Sequence, residues 1–183
     1  MRERKKTSNT EFKVLANDPS MTAWGWCVVD AKTNFIYSAG CIKTNSENKV
    51  RRIRKGDDTI RRIQEINHQL IHIIKVYNIK FIVSELPHGS QNASAAVMLG
   101  LVTGTIQTMA DVLEIPIDWY SEADAKKHLL NKRSATKKET IDAIDKIYKV
   151  DWTKVKYKDE AIADALAVYH VARSQSSILT MSW

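Results

Sequence analysis

Two short apolar runs in this sequence end on an acid. Val14-Leu15-Ala16 leads through Asn17 to Asp18, with Pro19 directly behind it. Ile79–Ser84 leads to Glu85, with Pro87 two residues further on. A carboxylate at the end of a buried strand is held rigidly and faces a cleft, which suits a metal ligand. Taken singly, Asp18 reads as a turn aspartate and Glu85 as a surface residue. Two acids in the same structural position are harder to dismiss. A third acidic group, Asp159, Glu160 and Asp164, opens an alanine-rich stretch near the C-terminus. On a helix Glu160 and Asp164 share a face, roughly 5–6 Å apart at Cβ, and like charges so placed destabilise the helix unless a cation lies between them. Asp159 reads equally as an N-cap or first-turn acid.

The elements around these acids follow from pattern. Ala23–Val29 is β-prone, so 13–30 reads as two strands joined by a tight polar turn. Thr33-Asn34 marks a hairpin into a third strand ending at Lys43. Ile53, Ile60, Ile63, Leu70, Ile74 and Tyr77 recur at helical spacing within 46–77, a long helix that Gly56-Asp57-Asp58 can break. The continuous apolar run Ile79–Ser84 fits a strand buried on both faces. Asn92–Leu113 is helical, and Gly100 and Gly104 leave one side smooth for a strand or another helix. Ile115–Tyr120 is the fifth strand. Ser121 caps a helix to about Leu130, with Glu122 and Asp124 in its first turn. A basic loop, 131–138, runs into a helix over 136–148, and the last helix spans Asp159–Ala172. Three antiparallel strands extended by parallel ones make an α/β layered domain with a mixed sheet.

A chain of 183 residues is long enough for one well-buried core, and its net charge of +7 fits either an acidic partner or a merely soluble basic surface. Residues 1–11 read as a basic flexible arm, either touching phosphates or simply solvated, and 12–183 as the single folded domain. Lys49, Arg51, Arg52, Arg54, Lys55, Arg61 and Arg62 form either a phosphate-contacting face or a solvated one. Lys126, Lys132, Arg133, Lys137 and Lys138 make a second basic cluster. Cys27 and Cys41 read as buried free thiols in a reducing compartment. No uninterrupted apolar run is long enough for a membrane span, and no apolar signal-peptide core is present.

Four local patterns occur in one order: Asp18-Pro19-Ser20-Met21-Thr22-Ala23-Trp24-Gly25; Glu85 followed by Asn92, Ser94-Ala95, Leu99-Gly100 and Gly104; Tyr120-Ser121 with Lys126, Ala135 and Lys137; and Asp164-Ala165-Leu166-Ala167. Together they resemble the RuvC-type Holliday junction resolvases of the ribonuclease H-like superfamily, over nearly the whole chain after the arm. The resemblance implies an α/β ribonuclease H-like fold, a mixed five-stranded sheet flanked by helices. It implies a metal-dependent endodeoxyribonuclease that resolves four-way DNA junctions by paired phosphodiester hydrolysis. Two Mg²⁺ ions per site, with Mn²⁺ as substitute, no organic cofactor, branched DNA as partner, a homodimer and no membrane come with it. The implied setting is the cytoplasm of a bacterial or phage-infected cell, with an organellar matrix as the alternative.

By the same resemblance Asp18, Glu85, Glu160 and Asp164 are the catalytic metal ligands, and Lys126 and Lys137 hold DNA phosphates. His88 stands where family members often carry an aromatic that reaches the junction centre. One departure concerns the fourth ligand. The family commonly has an acid or a histidine three residues before the last aspartate, where this chain has Ala161. Glu160, one helical turn from Asp164, takes that role as in some mitochondrial relatives, with Asp159 as the competing choice. Competing activities are a ribonuclease H-like nuclease acting on forks, flaps or RNA–DNA hybrids, and a non-catalytic junction-binding protein.

Overall fold

The computed structural model describes residues 11–181; the expected basic arm, apart from Glu11, lies outside them. Strands β1 (Lys13–Asp18), β2 (Ala23–Asp30) and β3 (Ile36–Lys43) form an antiparallel meander. Strands β4 (Phe81–Leu86) and β5 (Ile117–Ser121) extend it in parallel, giving the order β3-β2-β1-β4-β5. The expected mixed five-stranded sheet is therefore present. Short helix α1 (Asn48–Arg51) precedes α2 (Lys55–Tyr77), and α3 (Ala93–Val112) links β4 to β5. After β5 come α4 (Glu122–Leu130), α5 (Lys137–Ile147), α6 (Lys156–Gln175) and α7 (Ser177–Met181).

Side-chain alternation sorts the strands into two cores. Val14 and Ala16 of β1, Cys27 and Val29 of β2, and Phe81 and Val83 of β4 pack against α6. Leu15, Trp24, Val28 and Ile82 point the other way, onto Ile66, Leu70 and Ile74 of α2 and Val102 and Ile106 of α3. By the same alternation Asp18 continues the row Val14-Ala16, and Glu85 the row Phe81-Val83. Both acids thus belong to the α6 side of the sheet. On the opposite face, behind Asp18, the Trp24 indole donates to Asn17 Oδ1 at 3.0 Å.

Three local readings need correction. The long helical segment breaks at Arg52–Arg54, where Arg52 takes a left-handed conformation, and Gly56 lies inside α2. The last helix starts three residues earlier than expected, at Lys156. Cys41 is half-buried, although both cysteines are free as expected. Helix α3 is also more apolar than its lack of an unbroken hydrophobic run conveyed: by length and composition alone it could cross a membrane. Val102, Ile106, Met109 and Ala110 account for one side of it, since they are buried in the α2–α3 core. Gly100 and Gly104 are on the exposed side, and a methyl group added at either would meet open space. They do not pack on the sheet.

Helix α6 is nearly all core: every residue from Ala161 to Tyr169 is buried. Its alanines let it lie directly on the strands. At Gly25 of β2 the approach is so close that a Cβ would stand 2.0 Å from the Ala161 carbonyl oxygen. We predict that Gly25→Ala destabilises the protein by at least about 3 kcal/mol, because helix or strand must shift bodily to admit the methyl. Urea unfolding measures it; an unchanged midpoint would mean that the contact is not tight.

Candidate active site

Asn17 of β1 pairs with Ser84 of β4, so Asp18 and Glu85 follow side by side at the same end of two parallel strands. Helix α6, lying across that end, adds the buried Asp164. Asp164 acts on both strand-end acids, and Asp18 acts on Glu85. Burial raises the Asp18 pKa, and the charge of Asp164 raises it further. Burial likewise raises that of Glu85, followed by the charges of Asp18 and Asp164. Asp164 is raised by burial too, against the opposing pull of Lys137.

Lys137 reaches into this group from α5. Its ammonium donates to Asp164 Oδ2. The start of α5 is fixed by a capping box: Thr136 Oγ1 accepts from the Glu139 backbone, and the Glu139 carboxylate accepts from the Thr136 backbone at 2.7 Å. Lys137 is therefore the first residue of a helix whose entry is locked. Burial alone would lower its pKa, but the charges of Asp164 and Asp18 reverse that and raise it. Lys126, on α4, is buried and donates to Glu122 Oε1 at 2.5 Å. The start of α4 is fixed by Ser121, whose Oγ accepts from the Asp124 backbone at 3.1 Å.

The structure brings Asp18, Glu85, Asp164, Lys126 and Lys137 to one end of the sheet. Two of the acids considered on α6 do not join them. Asp159 is buried, but its carboxylate accepts from the Thr153 backbone and hydroxyl, at 2.9 and 2.7 Å, and so ties down the loop before the helix. Glu160 turns to Lys156, 4.0 Å away and one turn earlier on the same helix. The acid that sequence reasoning passed over is Glu122, whose charge raises the pKa of Asp18, Glu85 and Asp164 alike. Its one available signal was its place directly after β5. His88 is exposed on the loop after β4, and its charge acts on Glu122.

Two residues of the first basic run, Arg61 and Arg62 on α2, have a third role that neither reading foresaw. Arg62 donates to Thr44 Oγ1 at 2.8 Å and to Met21 O and Thr22 Oγ1 at 2.9 Å. It thereby fastens the turn that follows Asp18. Arg61 bonds Asp58 Oδ1 at 2.9 Å and Asn45 O at 2.7 Å, and Asp58 in turn accepts from Ser46 at 2.9 Å. These two arginines are structural ties between α2 and the meander.

Comparison with known proteins bears on the same arrangement. A family model described as crossover junction endodeoxyribonuclease RuvC matches residues 14–171. The chain belongs to this family. Among its relatives, the enzyme so named from Ehrlichia chaffeensis is 23% identical over 156 residues, 85% of this chain and 94% of that one. Its counterpart from Shewanella woodyi is 23% identical over 167 residues, 90% and 91% of the two chains. Among solved structures, Thermus thermophilus RuvC in complex with a Holliday junction substrate superposes with a TM-score of 0.69 at 18% identity, covering 89% of this chain and 96% of that one. The yeast mitochondrial Holliday junction resolvase gives 0.59 at 10% identity, covering 87% and 77%. The fold is thus the ribonuclease H-like fold of the RuvC enzymes.

The RuvC family is metal-dependent in general. The donor set here fits a hard divalent cation: carboxylate oxygens of one buried and two half-buried acids, with Asp18 raised in pKa by the charge of Asp164 and Glu85 by the charges of both. Among the described residues no three acidic, imidazole or thiol groups stand close enough to close around one ion as placed. The ammonium of Lys137 supplies the positive charge at Asp164 instead.

The raised acids give a pH signature. Each binds its proton more tightly folded than unfolded, so the stability it contributes is full below about pH 4. That stability is lost as pH rises through about 7 for Asp18 and about 9 for Glu85. In EDTA, Tm should fall between about pH 5 and about pH 9, and Asp18→Asn should flatten the fall. Mg²⁺ should raise Tm more at the higher pH. A Tm insensitive to pH in the wild type, measured by calorimetry, would contradict this account.

Proposed function

We propose that this chain resolves four-way DNA junctions by hydrolysing phosphodiester bonds in two symmetric strands, with Asp18, Glu85 and Asp164 holding two Mg²⁺ ions, or Mn²⁺ in their place. The observation that carries this is the convergence of three acids, the buried Asp164 of α6 and the half-buried Asp18 and Glu85 of β1 and β4, with lysines beside them, in a chain of the RuvC family. When bound, the ions polarise the attacking water and stabilise the leaving oxygen. Asp18 and Glu85 serve as rigid oxygen ligands because the strands they end are core on both faces. Asp164 is held by a helix that cannot move without breaking the Gly25 contact. We assign Lys137, half-exposed, and Lys126 to the charge of the scissile phosphate, and the net charge of +7 favours approach of DNA.

Two cuts on a two-fold symmetric substrate call for two sites, which a C2 dimer of this chain provides. The exposed side of α3 suits that contact. Gly100 and Gly104 leave it smooth, Val97 and Val112 are 59% and 74% exposed, and a groove of about 580 Å³ runs beside them, lined by Ile71 and Leu101 among others. A second copy laid along this face would cover the apolar side that the fold leaves open. Gly104→Arg should yield a monomer in analytical ultracentrifugation; an undisturbed dimer, or a wild type that is monomeric free and junction-bound, counts against this interface.

The function is tested by Mg²⁺-dependent cleavage of a synthetic four-way junction beside a fork and an RNA–DNA hybrid. Asp18→Asn should reduce junction cleavage by at least about 100-fold, with binding kept. Cleavage at the wild-type rate by Asp18→Asn sinks the reading, and faster cleavage of fork or hybrid redirects it. We assign to His88, exposed on the loop after β4, a stacking contact with a base, which is worth about 1–3 kcal/mol. His88→Ala should slow cleavage more than binding, and His88→Phe should retain activity; rescue of an inactive His88→Phe by imidazole would show proton transfer instead.

A further inference from the structure

The metal site proposed above has three acids with settled places and a vacant fourth position, since Ala161 stands where the family pattern has an acid or histidine. Neither neighbour on α6 fills it: Asp159 caps the preceding loop and Glu160 pairs outward with Lys156. Helix α6 cannot readily be re-phased to bring another residue inward. The Ala161 carbonyl is pinned at Gly25, and the helix is buried on all sides along that stretch.

A carboxylate is nonetheless present on the other flank. Strands β1, β4 and β5 are parallel neighbours, and at their common end stand Asp18, Glu85 and, one residue past β5, Glu122. Leu86 pairs with Ser121, so Glu122 follows at the tip of β4. It has the same parity as Tyr120, which packs into the α6-side core. Ser121 caps α4 and fixes Glu122 as its first residue. The Lys137 ammonium that bonds Asp164 lies 3.9 Å from Glu122 Oε1, and Lys126 bonds that same oxygen at 2.5 Å.

We propose that Glu122 is the fourth carboxylate of the cation site, supplied by the end of the third parallel strand in place of an acid on α6. Lys126 and Lys137 then serve as counter-ions of Glu122 and Asp164 until a divalent ion binds. The alternative role for Glu122 is purely to orient the two lysines. Its Oε1 faces the same Lys137 ammonium that bonds Asp164, from the end of the strand beside that of Glu85, a place that orienting Lys126 alone would not require.

The test is Mn²⁺ binding to the DNA-free protein, followed by electron paramagnetic resonance and calorimetry, with folding checked by circular dichroism. Glu122→Gln keeps an oxygen for Lys126 but removes the charge. It should weaken Mn²⁺ by at least about tenfold, while Glu160→Gln stays within about twofold. Unchanged affinity in Glu122→Gln, with loss in Asp18→Asn, overturns this assignment and leaves the junction-resolving function standing. Equal weakening by Glu160→Gln also overturns it and returns the fourth ligand to α6. A wild type that binds no Mn²⁺ sinks both this assignment and the metal site on which it rests.

Discussion

Asp164 meets the strand-end acids because α6 rests on β2 with no side chain between them at Gly25. That contact sets the height of the helix above the sheet, and the alanines on either side of Asp164 allow it. The same closeness takes water away from Asp18 and Glu85 and brings three like charges together. Burying one large apolar side chain contributes about 1.5–3 kcal/mol, and the two cores hold many, Leu15, Phe81, Ile82 and Leu166 among them, which offsets the cost of gathering these acids.

The cationic side of the site is set by helix starts. Lys137 and Glu122 are each the first residue of a helix with a side-chain cap in front of it, Thr136 and Ser121. A cap fixes where the first turn begins, and so fixes the direction in which that first side chain leaves. The acidic side is braced from behind. Arg62 joins α2 to the turn after Asp18, and Asp58 with Arg61 joins the start of α2 to the segment after β3. Strand ends that would otherwise continue into mobile turns are thereby tied to the body of the domain.

Much of this was legible in the residues. The acid-terminated apolar runs, the five strands and the mixed sheet followed from period and punctuation, and Asp18, Glu85 and Asp164 stand where those patterns put them. What escaped notice did so for physical reasons. Helical spacing makes Glu160 a neighbour of Asp164, but a helix buried on nearly every side carries no apolar stripe by which to phase it, and Lys156 draws Glu160 away. Glu122, with Lys126 one turn on, has the pattern of any solvent-facing ion pair, and only the parallel pairing of β5 with β4 reveals its location. Arg61 and Arg62 bond groups as far as 41 residues away along the chain, which no local pattern encodes. Gly100 and Gly104 marked a smooth surface correctly, but whether the sheet or something else covers it depends on how α3 is rotated in the assembled fold.

Alternation along β1 has an evolutionary corollary. Because Val14 and Ala16 share a face with Asp18, while Leu15 and Asn17 share the other, chemistry and core are written on one ruler. Losing or gaining a single residue within β1 would deliver Asn17 or an apolar neighbour to the cleft and turn the carboxylate towards α2. The two strands that end in acids are therefore closed to small insertions and deletions. Change in these two strands is confined to substitution, with their lengths kept as the fixed frame.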